Sequence, residues 1–159
     1  MAEKSKMELI KEFIETCPYL NKGKIDVDYL KGDVNSYSII QSPTTPIVTQ
    51  YRDGGSIRQI AFDFVVQAPI SSRNIENLAN SKFGEDFMEW IEEQDDNRNL
   101  PEISNIQHIQ CTSPSYILQR TNTQATYIIQ MNCTYYQAWW GLYFFIRRKR
   151  NVSTRTSIL

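Results

Sequence analysis

Apolar and polar positions alternate most regularly in two stretches of this 159-residue chain. In the first, Ile47 to Ala68, two runs rich in β-branched and aromatic residues flank Asp53-Gly54-Gly55-Ser56. A glycine pair between such runs predicts a hairpin, because glycine reaches the positive φ that a tight turn needs. On the second arm Ile60, Phe62, Phe64, Val66 and Ala68 recur at period two, so a long strand with one apolar face is expected. The second stretch is Ala125 to Tyr136, where Ala125, Tyr127, Ile129, Met131, Cys133 and Tyr135 alternate with a mostly polar set. A lone hairpin is marginal in water, so these apolar faces need a cover.

The remaining pattern supplies one. After Pro69, Ser71-Ser72 offer caps for a helix that carries Ile75, Leu78, Ala79, Phe83, Phe87, Trp90 and Ile91 along one stripe. It is expected to end in the solvated run Glu92 to Asn99, closed by Pro101. Gly84 within it costs about 1 kcal/mol relative to alanine and marks a bend or a close approach to a neighbour. A shorter amphipathic helix from Met7 places Leu9, Ile10, Phe13, Ile14 and Cys17 together and stops at Pro18. Between the helices, Lys24 to Leu30 reads as a strand with Ile25, Val27 and Tyr29 inward, turning at Lys31-Gly32-Asp33. Val34 to Gln41 follows as a second strand with Tyr37 and Ile39 inward, broken by Ser42 to Pro46. Ile103 to Thr112 and Tyr116 to Arg120 are strand-like, and Thr121 to Gln124 is a turn. This order predicts an α+β fold, a mostly antiparallel mixed sheet with two main helices on one face. Residues 1–137 form a single domain on this reading, and 138–159 are an aromatic and basic C-terminal extension.

Charge sharpens that division. The whole chain carries a formal charge of -1, but residues 138–159 hold Arg147, Arg148, Lys149, Arg150 and Arg155 with no acid, which leaves -6 on the rest. The apolar run Ala138 to Ile146 is far shorter than the ~20 residues a membrane span needs, so none is expected. Surface binding, docking on a partner and an accidental extension all remain open for it. Cys17, Cys111 and Cys133 are odd in number and widely spaced, which points to a reducing compartment rather than a disulfide framework. The N-terminus lacks the apolar core of a secretion signal.

Catalytic chemistry has little to work with. His108 is the sole histidine and its place in a strand pattern makes it a half-exposed sheet residue before it is a base. No metal cluster suggests itself, since Asp26 and Asp28 read as a solvated strand face. The Asp53 to Ser56 turn lacks the lysine and the strand-to-helix context of a phosphate-binding loop. Cys17 and Cys133 fall on apolar faces and read as core. Neither an enzyme nor a cofactor is expected.

Taken together, Tyr37-Ser38-Ile39, Tyr51 to Ser56, Phe62-Asp63-Phe64, Asp86 to Glu92, Leu100-Pro101 and Tyr127 to Gln130 resemble the phage tail terminator family over residues 5–136. That resemblance implies a structural virion protein without catalytic residues, assembled in the host cytoplasm. Such a protein forms a homohexameric ring that caps the tail tube, ends its polymerisation and offers a surface for the neck. The implied partners are further copies of the chain, the tube protein, a sheath protein if the tail is contractile, and a neck or connector protein if a head is present. DNA would pass through the channel. A ring subunit needs exposed edges or loops that meet neighbours. Arg52, Asp53, Gly54, Gly55, Ser56 and Arg58 at the hairpin, with Trp139, Trp140, Arg147 and Arg148 in the extension, are the candidates. The alternative for the charged tip residues is that they merely solubilise it. Rival readings of the whole chain are another head-tail connector or neck ring subunit and, from other classes, a small enzyme using His108 or a nucleic-acid-binding module using the basic tail.

Overall fold

The computed structural model describes residues 3–20, 24–33, 35–72 and 74–139, with the side chains of residues 74 and 75 left aside. Helix α1 (Lys6–Ile14) opens at Ser5, whose side chain accepts a hydrogen bond from the Glu8 amide. Strands β1 (Ile25–Val27), β2 (Ser36–Ser42), β3 (Ile47–Gln50) and β4 (Ser56–Pro69) follow, then helix α2 (Asn74–Asp96) and strands β5 (Ile106–Cys111), β6 (Tyr116–Arg120) and β7 (Gln124–Gln137). The fold is α+β. Its seven-stranded sheet is open and mixed, with β1 parallel to β2 and every other pairing antiparallel.

The two stretches of strict alternation become the centre of the sheet. β4 and β7 pair without interruption from Ser56↔Gln137 to Pro69↔Gln124. Each 14-residue strand is too long for one short neighbour, so two strands lie end to end along its outer side. β2 pairs with β4 over residues 61–67 and β3 over 56–58, while β5 pairs with β7 over 131–135 and β6 over 125–128. The sheet thus has two tiers that share β4 and β7. β1, β2 and β6 flank one tier, and β3 and β5 flank the other.

One hydrophobic cluster joins both helices to one face of this sheet. Ile10, Ile14 and Cys17 from the α1 segment and Phe87, Trp90 and Ile91 from α2 meet Ile60, Phe62, Phe64 and Val66 of β4 and Ile129, Met131 and Cys133 of β7. Phe87 stacks on Phe64 at 4.5 Å between ring centroids, and Phe13 stacks on Trp90 at 5.2 Å, so the helices also touch each other. Cys17 and Cys133 are core residues, as their apolar surroundings predict.

Several local expectations are corrected. The first strand stops at Val27 because Asp28 adopts the left-handed conformation at φ 54°, and Val27 and Tyr29 lie outside rather than inward. The second strand begins at Ser36, and Val34 lies outside the described residues. α2 starts at Asn74, past Ser72, while its end at Asp96 falls within the Glu92 to Asn99 run where the sequence pattern places it. Leu78 and Ala79 are exposed, because the core contacts of α2 start only at Phe83. β5 starts at Ile106, since Asn105 at φ 58° interrupts the extended backbone. Gly84 is a close approach: a Cβ there would meet the Ser115 Cβ at 2.7 Å.

Candidate functional site

The hairpin turn spans residues 51–55 and is closed by its own backbone. The Tyr51 amide donates to Gly55 O at 2.8 Å and the Gly54 amide to Tyr51 O at 3.1 Å. Asp53 accepts from the Gly55 amide at 2.9 Å, a local turn contact that gives this carboxylate a structural job. Gln50 Nε2 bridges the carbonyls of Gly54 and Gly55 at 3.2 and 3.1 Å. Gly54 alone of the pair takes a positive φ, 87°. Gly55 is tight for a different reason: a Cβ there would meet the Tyr136 hydroxyl, so a larger residue would have to displace that side chain.

The end of β7 lies against this turn. Register sets Ile57 opposite Tyr136 and Ser56 opposite Gln137, which carries Trp139 back over the tip. Its ring approaches the site of a Gly54 Cβ to 2.5 Å, and Tyr51 and Tyr136 sit 6.4 Å apart. The candidates from the hairpin and the start of the extension are therefore one surface, in which Tyr51 and Trp139 remain 44% and 53% exposed. Arg52 and Asp53 are exposed beside them. Ser56 is buried, and Arg58 is half-buried within β4 with its Nε donating to Ser56 Oγ at 3.2 Å, so these two hold the strand rather than form the tip. Trp140, Arg147 and Arg148 lie outside the described residues.

This arrangement suits recognition. Aromatic rings with a guanidinium and a carboxylate beside them offer apolar area and directional charge, with no nucleophile placed against a base. His108 is exposed and its Nδ1 lies 2.9 Å from Asp95 Oδ2, while Asp95 Oδ1 accepts from the Ile109 amide at 3.0 Å. Asp95 thereby ties the end of α2 to β5. Burial pushes the Cys133 thiol up to about 12, with nearby Asp95 adding to the shift, and burial followed by Glu92 does the same for Cys111. Neither is a nucleophile at neutral pH. Among the described residues no three His, Cys, Asp or Glu side chains gather to hold a metal ion, and no helix is long and apolar enough to cross a membrane.

A second surface escaped sequence reasoning. Between α2 and the 114–120 segment lies a groove of about 550 Å³, lined by Met88, Tyr116, Ile117 and Tyr127 together with Glu85 and Arg120. The signal for it is Tyr116-Ile117-Leu118: three consecutive large apolar residues in a strand occupy both faces, and at least one must face outward. All three are exposed.

No protein-family model matches this sequence, and no curated protein matches it.

Proposed function

We propose that the chain is a structural, non-catalytic ring subunit of the tail terminator type, a homohexamer that caps the tail tube at the head-proximal end of the virion and stops its growth. The observation that carries this reading is the convergence of the hairpin tip with the end of β7. It gives a half-exposed aromatic and charged surface at the extremity of the two longest strands, which is where a subunit meets another component. The resemblance over residues 5–136 supplies the identity of that component, a tube ring below and further copies beside it. On this reading a neck protein stands above, a sheath protein surrounds a contractile tail, and DNA traverses the channel. The basic run at 147–150 provides a cationic partner for an acidic body.

Light scattering on the purified full chain, alone and with tail tubes, tests the proposal. A hexamer, free or formed on the tubes, is expected. A chain that stays monomeric on tubes, or that binds portal or head particles instead, would replace the terminator by a neck ring subunit.

A further inference from the structure

The two surfaces described above lie at opposite ends of the molecule. β4 leaves the hairpin tip at Ser56 and arrives at Pro69 beside the start of β7, where β6 and the groove lie. Fourteen extended residues at about 3.3 Å each place the ends roughly 45 Å apart. A tip therefore cannot reach the groove of its own chain.

We infer that the hairpin tip of one copy docks in the α2–β6 groove of a second copy. Chemistry at the two ends is matched. The tip presents Tyr51 and Trp139, half-exposed rings that each still have roughly half of an aromatic side chain's ~150–250 Å² to bury. The groove offers Met88, Tyr116, Ile117 and Tyr127 in a volume of about 550 Å³, ample for two such rings. Charge runs in reciprocal order: Arg52 and Asp53 are exposed at the tip, and Glu85 and Arg120 are exposed beside the groove. Arg52 is opposite in sign to Glu85 and Asp53 to Arg120, so each end offers one cation and one anion to the other. Since one surface meets a different surface, the contact is heterologous and repeats from copy to copy until it closes. It rests on the ring reading for closure at six, and the opposite placement of the surfaces on each subunit is what lets every copy be both donor and acceptor.

The test uses the full chain in three forms, Arg52→Glu, Glu85→Arg and the two together. All these positions are exposed, so circular dichroism and melting temperature should match the wild type. Each single reversal is expected to weaken hexamer formation at least tenfold in light scattering, and the double reversal to restore most of it. Independently, Arg52→Cys with Glu85→Cys under mild oxidant should give a ladder of disulfide-linked copies, with the wild type as the control for the native cysteines. Wild-type rings that form normally in both single variants, with no ladder from the cysteine pair, overturn the docking and leave the ring reading standing. Intact rings that lose only tube binding on tip reversal also overturn it, by making the tip a tube contact. A ladder from a chain that never closes into a hexamer supports the docking and removes the ring.

Discussion

Gly54 holds a left-handed backbone with the Trp139 ring against its Cα side, so alanine there is both strained and crowded. Gly54→Ala is expected to cost about 1–3 kcal/mol in denaturant melts. Gly32→Ala is the control, because nothing lies within 4 Å of a Cβ at that position. If the two variants melt alike, Trp139 does not sit on the turn. The thiols give a prediction of a different kind. Burial holds the folded Cys111 and Cys133 near 12, above an ordinary thiol, so between about pH 9 and 12 the unfolded chain has released protons that the folded chain retains. Their contribution to stability is complete below pH 9 and is lost as pH rises through that window. At pH 8 a thiol reagent should label neither until the chain is denatured; rapid labelling of native protein would place them at the surface.

The core contacts of helix α2 run from Phe83 to Ile91, and three sites along the helix test how firmly it is attached. Trp90 is 8% exposed, between Phe13 of α1 and Phe87, so Trp90→Ala should cost about 3–5 kcal/mol. A loss under about 1 kcal/mol would remove it from the core. Gly84 opposes a helix rule with a packing rule. Alanine gains about 1 kcal/mol of helix propensity, while forcing a methyl group into Ser115 costs about 1–3 kcal/mol. Gly84→Ala is therefore expected to be neutral to destabilising alone, and clearly stabilising only when Ser115→Gly removes the opposing Cβ. A double-mutant cycle measures that coupling, and additivity would mean the two do not touch. At the far end, Asp95→Ala removes the acceptor of the Ile109 amide and the partner of His108, worth about 1–3 kcal/mol.

At the scale of the whole molecule, the two-tier sheet sets the exposed aromatic tip at one end of β4 and β7 and the α2–β6 groove towards the other. β7 ends at Gln137, so a chain stopped there keeps both long strands and every core residue named above. Truncation after Gln137 should shift the melting temperature by only a few degrees and should abolish ring formation, because Trp139 and the basic run go with it. Rings of normal size from the truncated chain would confine assembly to residues 1–137.

The long strands, the core stripe of α2 and the α+β class were legible in the sequence because side-chain period is a local property: two residues per repeat in β4 and β7, and Phe83, Phe87, Trp90 and Ile91 at helical spacing. The hairpin turn was legible for the same reason, in the glycines it needs. What lies between distant parts of the chain was not. That β1 runs parallel to β2 depends on a crossover the pattern does not encode, and its early end depends on the backbone of Asp28. That Leu78 is exposed depends on where α2 crosses the sheet. That Trp139 belongs with Gly54, and that α2 and β6 enclose a groove, follows from a register which only the pairing of β4 with β7 sets. Local periodicity determined the apolar faces of the long elements; the tertiary contacts alone decided which of those apolar residues found a partner within the chain and which were left exposed.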